Sequence, residues 1–224
     1  MGLGLPLTAI SIMGAFIDLR TAITFIAIPV VVTNLYQAFE GGRGFEMLRK
    51  YWIINSYAVI GTIIGAQILF LVSPRILTTI LGVVVVIYVL INATRFRIRI
   101  SEQTDPWVVP PLGLLSGLLT GTTGSVGIPV ALYLQAKDID KESFLRAIAL
   151  TFLISATVLL FSLAEKGAFN QDILIVSALS LVPAFVGMVI GQRLRSQLSE
   201  SRFRQFVYLF LLISAVNLIR KGVL

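Results

Sequence analysis

Long apolar runs alternate with short charged connectors along all 224 residues of this chain. Thr21–Phe39, Trp52–Val72, Leu77–Ala93 and Ile173–Gln192 contain no charged residue. Each approaches the roughly 20 residues a helix needs to cross a bilayer. Phe144–Ala164 and Phe203–Ile219 continue the series, and a shorter apolar helix is expected at Leu3–Met13. Val108–Gln135 is equally apolar but interrupted by glycines. Trp52 and Trp107 stand at segment edges, where interfacial anchors belong.

Composition adds the reason for so many spans. Hydrophobic residues make up 57% of the chain, charged residues 13%, and the mean hydropathy is +0.93. One soluble core of this size would not hide that much apolar surface, so lipid is the expected solvent. The chain is therefore read as an all-α polytopic membrane protein in the cell (inner or plasma) membrane. Met1 leads straight into Gly2–Leu7 without a charged n-region, so no cleavable signal peptide is expected. The net charge of +7 does not imply nucleic acid, because the Lys and Arg residues cluster at segment ends, where they set topology.

An internal repeat changes the picture further. Gly61-Thr-Ile-Ile-Gly65 corresponds to Gly187-Met-Val-Ile-Gly191, and Gly4-Leu-Pro6 to Gly127-Ile-Pro129. Long-period repeats of this kind mark transporter folds. The repeats are placed at residues 1–93 and 107–224, joined by a basic cytoplasmic connector at 94–106 that carries Arg95, Arg97 and Arg99. Nothing before Gly4 matches Pro110–Gly124, so the first arm of the first repeat's broken helix is expected to be missing from these residues. Charge counting bears on the geometry. If Val108–Gln135 crosses once, the eighteen Lys and Arg divide nine against nine. If it dips in and returns, the loops Glu40–Tyr51, Thr94–Pro106, Ala136–Ser143 and Arg193–Arg204, together with Arg146, hold thirteen of them. Arg20, Arg75, Lys166, Arg220 and Lys221 then share the other side, which is a positive-inside bias. The re-entrant arrangement is favoured, and it makes the two repeats inverted, each with a broken segment plus three transmembrane helices.

The break itself carries the candidate chemistry. Glycines at 117, 121, 124 and 127, with Thr120, Thr122, Thr123 and Ser125, cannot sustain a strong continuous helix. Broken backbone at membrane depth is tolerated where it lines a cavity. Pro129 suits the first turn of a new helix. The free N–H groups around Ser125–Ile128 would then form an anion site at the positive end of a half-helix. Simple close packing of glycines is the competing reading.

The glycine-rich break with its following Pro, present in both halves, resembles the TauE/SafE family of sulfite and organosulfonate exporters. The order Gly117–Tyr133, then Arg146-Ala147, then Gly187–Gly191 follows that family, and Gly2 through Gly65 repeats it. Here the break reads Gly124-Ser-Val-Gly127, where members usually show consecutive glycines. The resemblance implies a carrier that exports sulfite or organosulfonates by alternating access. Substrate contacts are expected from Gly4, Pro6, Asn34, Gln37, Thr122, Thr123, Gly124, Ser125, Gly127, Pro129, Tyr133 and Arg146.

Asn34 and Gln37 share a helix face, downstream of Pro29, which should kink its helix and free a carbonyl. Asn55 and Gln67 are expected to make interhelical hydrogen bonds, and the two GxxxG pairs to pack helices. Arg193 is expected to snorkel to the interface. No cysteine or histidine is present, and all eleven acidic residues fall in loops or at segment ends. Enzymatic, metal-dependent and cofactor-dependent chemistry is therefore not expected, nor is a proton relay through buried carboxylates. An interior-negative potential would drive anions outward by about 2.3 kcal/mol per charge per 100 mV. The expected partners are a small anion and the bilayer. A homo-oligomer, another oxyanion or carboxylate as substrate, and a non-transporting scaffold remain alternatives.

Overall fold

The computed structural model describes residues 4–93, 102–124, 127–137, 139–197 and 200–223. Those residues form helices joined by short turns, and none of them is in a strand. In chain order the helices are α1 (Gly4–Phe16), α2 (Leu19–Phe39), α3 (Gly44–Lys50), α4 (Trp52–Leu71), α5 (Pro74–Ala93), α6 (Asp105–Thr123), α7 (Ile128–Ala136), α8 (Lys141–Glu165), α9 (Gln171–Leu179), α10 (Leu181–Gln197) and α11 (Glu200–Val223). Five stretches are long and apolar enough to cross a membrane: α2, α4, Pro74–Ile91 of α5, α8, and Gln171–Ile190 across α9 and α10. The chain is a multi-pass helical membrane protein.

Helix boundaries follow local chemistry. Asp18 caps α2 by accepting the backbone N–H groups of Arg20 and Thr21. Asp140 caps α8 in the same way, through Glu142 and Ser143. Side-chain caps of this type satisfy orphan donors at a helix start. Cations close the opposite ends. The Arg20 guanidinium donates to the carbonyls of Leu69, Phe70 and Val72 at the end of α4. Lys221 donates to Gly14 and Ile17 at the end of α1. Both placements complement the negative end of a helix dipole.

Packing is closest where glycine lets backbones touch. α4 and α6 run parallel along their lengths, with Gly113 against Ile54, Gly117 against Ala58, and Gly121 against Thr62 and Ala66. A Cβ on Gly61 would run into the Leu114 carbonyl, and one on Gly65 into that of Leu118. α5 and α11 are antiparallel, since Gly222 meets Arg75 and Thr79 while Gly82 meets Ala215 and Ile219. α2 packs against α8. The proline in α2 frees the Phe25 carbonyl, because Pro29 lacks an N–H to offer it. The Ser177 hydroxyl of α9 donates to that carbonyl at 2.8 Å.

Val108–Gln135 is two helices, interrupted at Gly124, whose φ of 61° is left-handed and suits glycine. α7 folds back along α6. The Lys137 ammonium just beyond α7 lies 2.6 Å from the Asp105 carboxylate at the start of α6, and the Tyr133 hydroxyl donates to the same oxygen at 3.2 Å. The two ends of the broken segment therefore sit side by side.

Three features depart from the sequence reading. The connector Glu40–Tyr51 contains α3, whose short length hid it among charged residues. The Ile173–Gln192 segment is divided at Ser180, whose hydroxyl bonds the Ser177 carbonyl. The two GxxxG pairs also differ. Gly61 and Gly65 pack tightly, whereas a Cβ on Gly187 would meet nothing within 4 Å. α9 and α10 together form the least covered of the five long apolar spans, and no described helix lies over Gly187 as α6 lies over Gly61.

Candidate functional site

The break between α6 and α7 leaves polar backbone deep in the protein. The Gly124 N–H is satisfied by the Thr120 carbonyl at 2.8 Å, which closes α6. α7 begins differently. Its N-cap is Gly127, which offers no side-chain cap, and Gly127 through Val130 are all buried. The first turn of a helix has no intrahelical partners for its N–H groups, and Pro129 contributes none of its own. Ile128 and Val130 thus direct backbone donors out of the start of α7, where the helix dipole adds positive potential.

A side chain points at the same place. Ser116 of α6 is 1% exposed, and its Oγ has no hydrogen-bond partner. A Cβ built on Gly127 would stand 2.5 Å from that Oγ and 3.4 Å from the Phe152 ring. Gly127 is therefore a close-approach glycine: without a side chain it lets the α7 terminus come directly against the Ser116 hydroxyl. The neighbouring threonines are spent as donors within α6: Thr120 on the Ser116 carbonyl, Thr122 on Leu118, and Thr123 on Leu119. Ser116 differs from them in keeping its proton unspent. Alongside the break runs a narrow cleft lined by Ile23, Ala27 and Val30 of α2, Thr120 and Gly124 of α6, and Phe152 of α8. Its walls are mainly apolar, so a charge inside it would interact strongly with the few dipoles present.

The expected contact residues divide by location. Thr122, Thr123, Gly124, Gly127 and Pro129 lie at the break, whereas Ser125 falls outside the described residues. Gly4 and Pro6 open α1, with their side-chain surroundings outside the described set, as are those of Arg193. Asn34 is buried and donates to the Val30 carbonyl in its own helix, while Gln37 reaches the Met188 sulfur at 3.5 Å. Tyr133 sits at the Asp105 end of the hairpin. Arg146 donates to the Glu40 carbonyl and to Glu142, tying α2 to the start of α8. Asp140 is held below the ordinary carboxylate range by the Ser143 hydroxyl and by backbone N–H groups, and burial raises Tyr51 at the start of α4, with Asp105 and Asp140 adding to the rise. Both groups lie at the loop end.

Ser116 was not anticipated as a site residue. Its signal in the sequence is faint: a single hydroxyl between Gly113 and Gly117, on a helix face where glycine clears the way.

A family model described as sulfite exporter TauE/SafE matches residues 1–218 of the chain. No curated protein and no solved structure gives a match.

Proposed function

The chain belongs to the sulfite exporter TauE/SafE family, and from that premise we propose that it exports small sulfur oxyanions, sulfite or organosulfonates, across the cell (inner or plasma) membrane. The observation that carries the reading is the uncapped, buried start of α7 facing the unpaired Ser116 hydroxyl. Two backbone amides and one hydroxyl are neutral donors. They stabilise a negative charge without a cation that would trap it, which suits a carrier that must release its load. An oxyanion accepts all three hydrogen bonds through separate oxygens.

The topology we propose is a re-entrant hairpin of α6 and α7 within two inverted repeats. The Asp105–Lys137 pair supports a return of α7 to the side from which α6 starts. The shared N-cap chemistry of Asp18 and Asp140 supports the equivalence of α2 and α8. The α2–α8 and α5–α11 contacts pair equivalent helices across the repeats. Such pairing lets one half rock against the other around a central site, which is alternating access. Membrane potential supplies the outward drive.

Thermal unfolding of the purified protein with sulfite, thiosulfate, a small alkyl sulfonate and acetate tests the reading. A ligand that binds the native state raises Tm with its concentration. Sulfite or the sulfonate should raise it saturably. Ser116→Ala should keep the fold and weaken the apparent Kd by about 10- to 100-fold, the loss of one hydrogen bond to a charged group. No response to any anion would favour a scaffold role, and a response to acetate alone would favour a carboxylate carrier.

A further inference from the structure

A second unsatisfied polar group lies outside the break. Asn55, in the first turn of α4, is 3% exposed. The Thr151 hydroxyl of α8 donates to its Oδ1 at 2.8 Å and also reaches the Ala147 carbonyl at 3.1 Å. The Nδ2 of Asn55 has no partner. Turning the amide over only exchanges the unpaired donor for an unpaired acceptor, since Thr151 engages one end at a time. An unmet buried polar group is costly, and an apolar residue of similar shape in its place is neutral or favourable. The expected interhelical bond, from Thr151, engages only the Oδ1 and leaves the Nδ2 without a structural task.

Its position suggests a functional one. α4 and α6 are parallel, with Gly113 level with Ile54 and Gly117 level with Ala58. Ser116 therefore lies within about one helical turn of Asn55 along the pair, a rise of ~5.4 Å. On α8, Thr151 precedes Phe152, whose ring borders Gly127, and the buried Ser155 lies one turn further on. Asn55, bonded to Thr151, and Ser116 are thus buried polar groups at neighbouring levels on α4, α8 and α6, with Ser116 beside the start of α7. We propose that the side-chain amide of Asn55 is a further substrate contact, at the level next to Ser116. It offers the oxyanion a neutral donor on its way to or from the central site. This rests on the proposed anion transport and assigns it a specificity-determining residue.

Calorimetric titration of sulfite into the full-length protein, paired with Tm measured without anion, tests the assignment. Asn55→Leu should leave the anion-free Tm unchanged or higher and weaken sulfite binding at least 10-fold. Asn55→Asp, which replaces the donor with a negative acceptor, should weaken it further. An Asn55→Leu protein that unfolds or loses Tm makes Asn55 a structural tie to Thr151 and overturns the proposal. So does one that folds and binds sulfite as the wild type does. A wild-type protein that binds no anion refutes the transport reading itself, a result distinct from either.

Discussion

Single residues decide where this chain keeps polar atoms without partners. Most hydroxyls within its helices return their proton to a carbonyl one turn back, as Thr62, Thr78, Thr120 and Thr157 do. Ser116 does not, and it stands beside Gly127, the residue that precedes α7, where any Cβ would collide with its Oγ. Residue type alone could not separate Ser116 from the threonines around it, because the distinction is which acceptor each rotamer reaches. The caps were easier to read, since an Asp just before an apolar run has one local task. Asp140 performs it in the charged form, and its hydrogen bonds hold its pKa below the ordinary value. A lowered folded-state pKa contributes stability above the unfolded value, and that contribution is lost as pH falls through the folded value. Asp140→Ala should therefore unfold at lower temperature than wild type at neutral pH, with the gap closing as pH drops below the carboxylate range. Calorimetric Tm measured across pH checks this.

Helices carry the next level, and glycine spacing is their grammar. The sequence offers two GxxxG pairs in equivalent places, yet α4 buries its pair under α6 while Gly187 of α10 faces open space. The pattern marks a surface able to pack; the presence of a partner depends on the remaining helices. Gly61→Ala should be strongly destabilising, because its Cβ would meet backbone that cannot move aside. Gly187→Ala should be neutral or stabilising by up to about 1 kcal/mol from helix propensity. Urea or thermal unfolding in one detergent, with both variants side by side, measures the contrast. The break after α6 was legible because four glycines weaken the helix and Pro129 suits a new first turn, although close packing of the glycines was the competing reading. α3 was not, since seven residues with charges at Glu46, Arg49 and Lys50 look like any polar connector.

At the scale of the whole molecule, side-to-side contacts group the loops. Arg146 with Glu40, and Lys137 with Asp105, gather one set of ends; Arg20 with Val72, and Lys221 with Ile17, gather the other. The proposed re-entrant course of α6 and α7 requires such a grouping. Helix pairing was beyond the sequence, because apolar faces of α2, α5, α8 and α11 differ too little to name their partners. The chain has no cysteine, so single cysteines report sidedness cleanly. Gly42→Cys and Lys141→Cys should react with an impermeant maleimide from the same side of sealed vesicles, and Lys166→Cys from the other. Labelling of positions 42 and 141 from opposite sides would make α6 and α7 a single crossing. The most direct measurement of the account is sulfite efflux from proteoliposomes under an imposed potential, with wild type and Ser116→Ala compared. Wild type should give saturable efflux that accelerates with voltage, and Ser116→Ala should need a far higher sulfite concentration for the same rate. Efflux no faster than from empty liposomes, or one indifferent to voltage and driven only by a proton gradient, would contradict it.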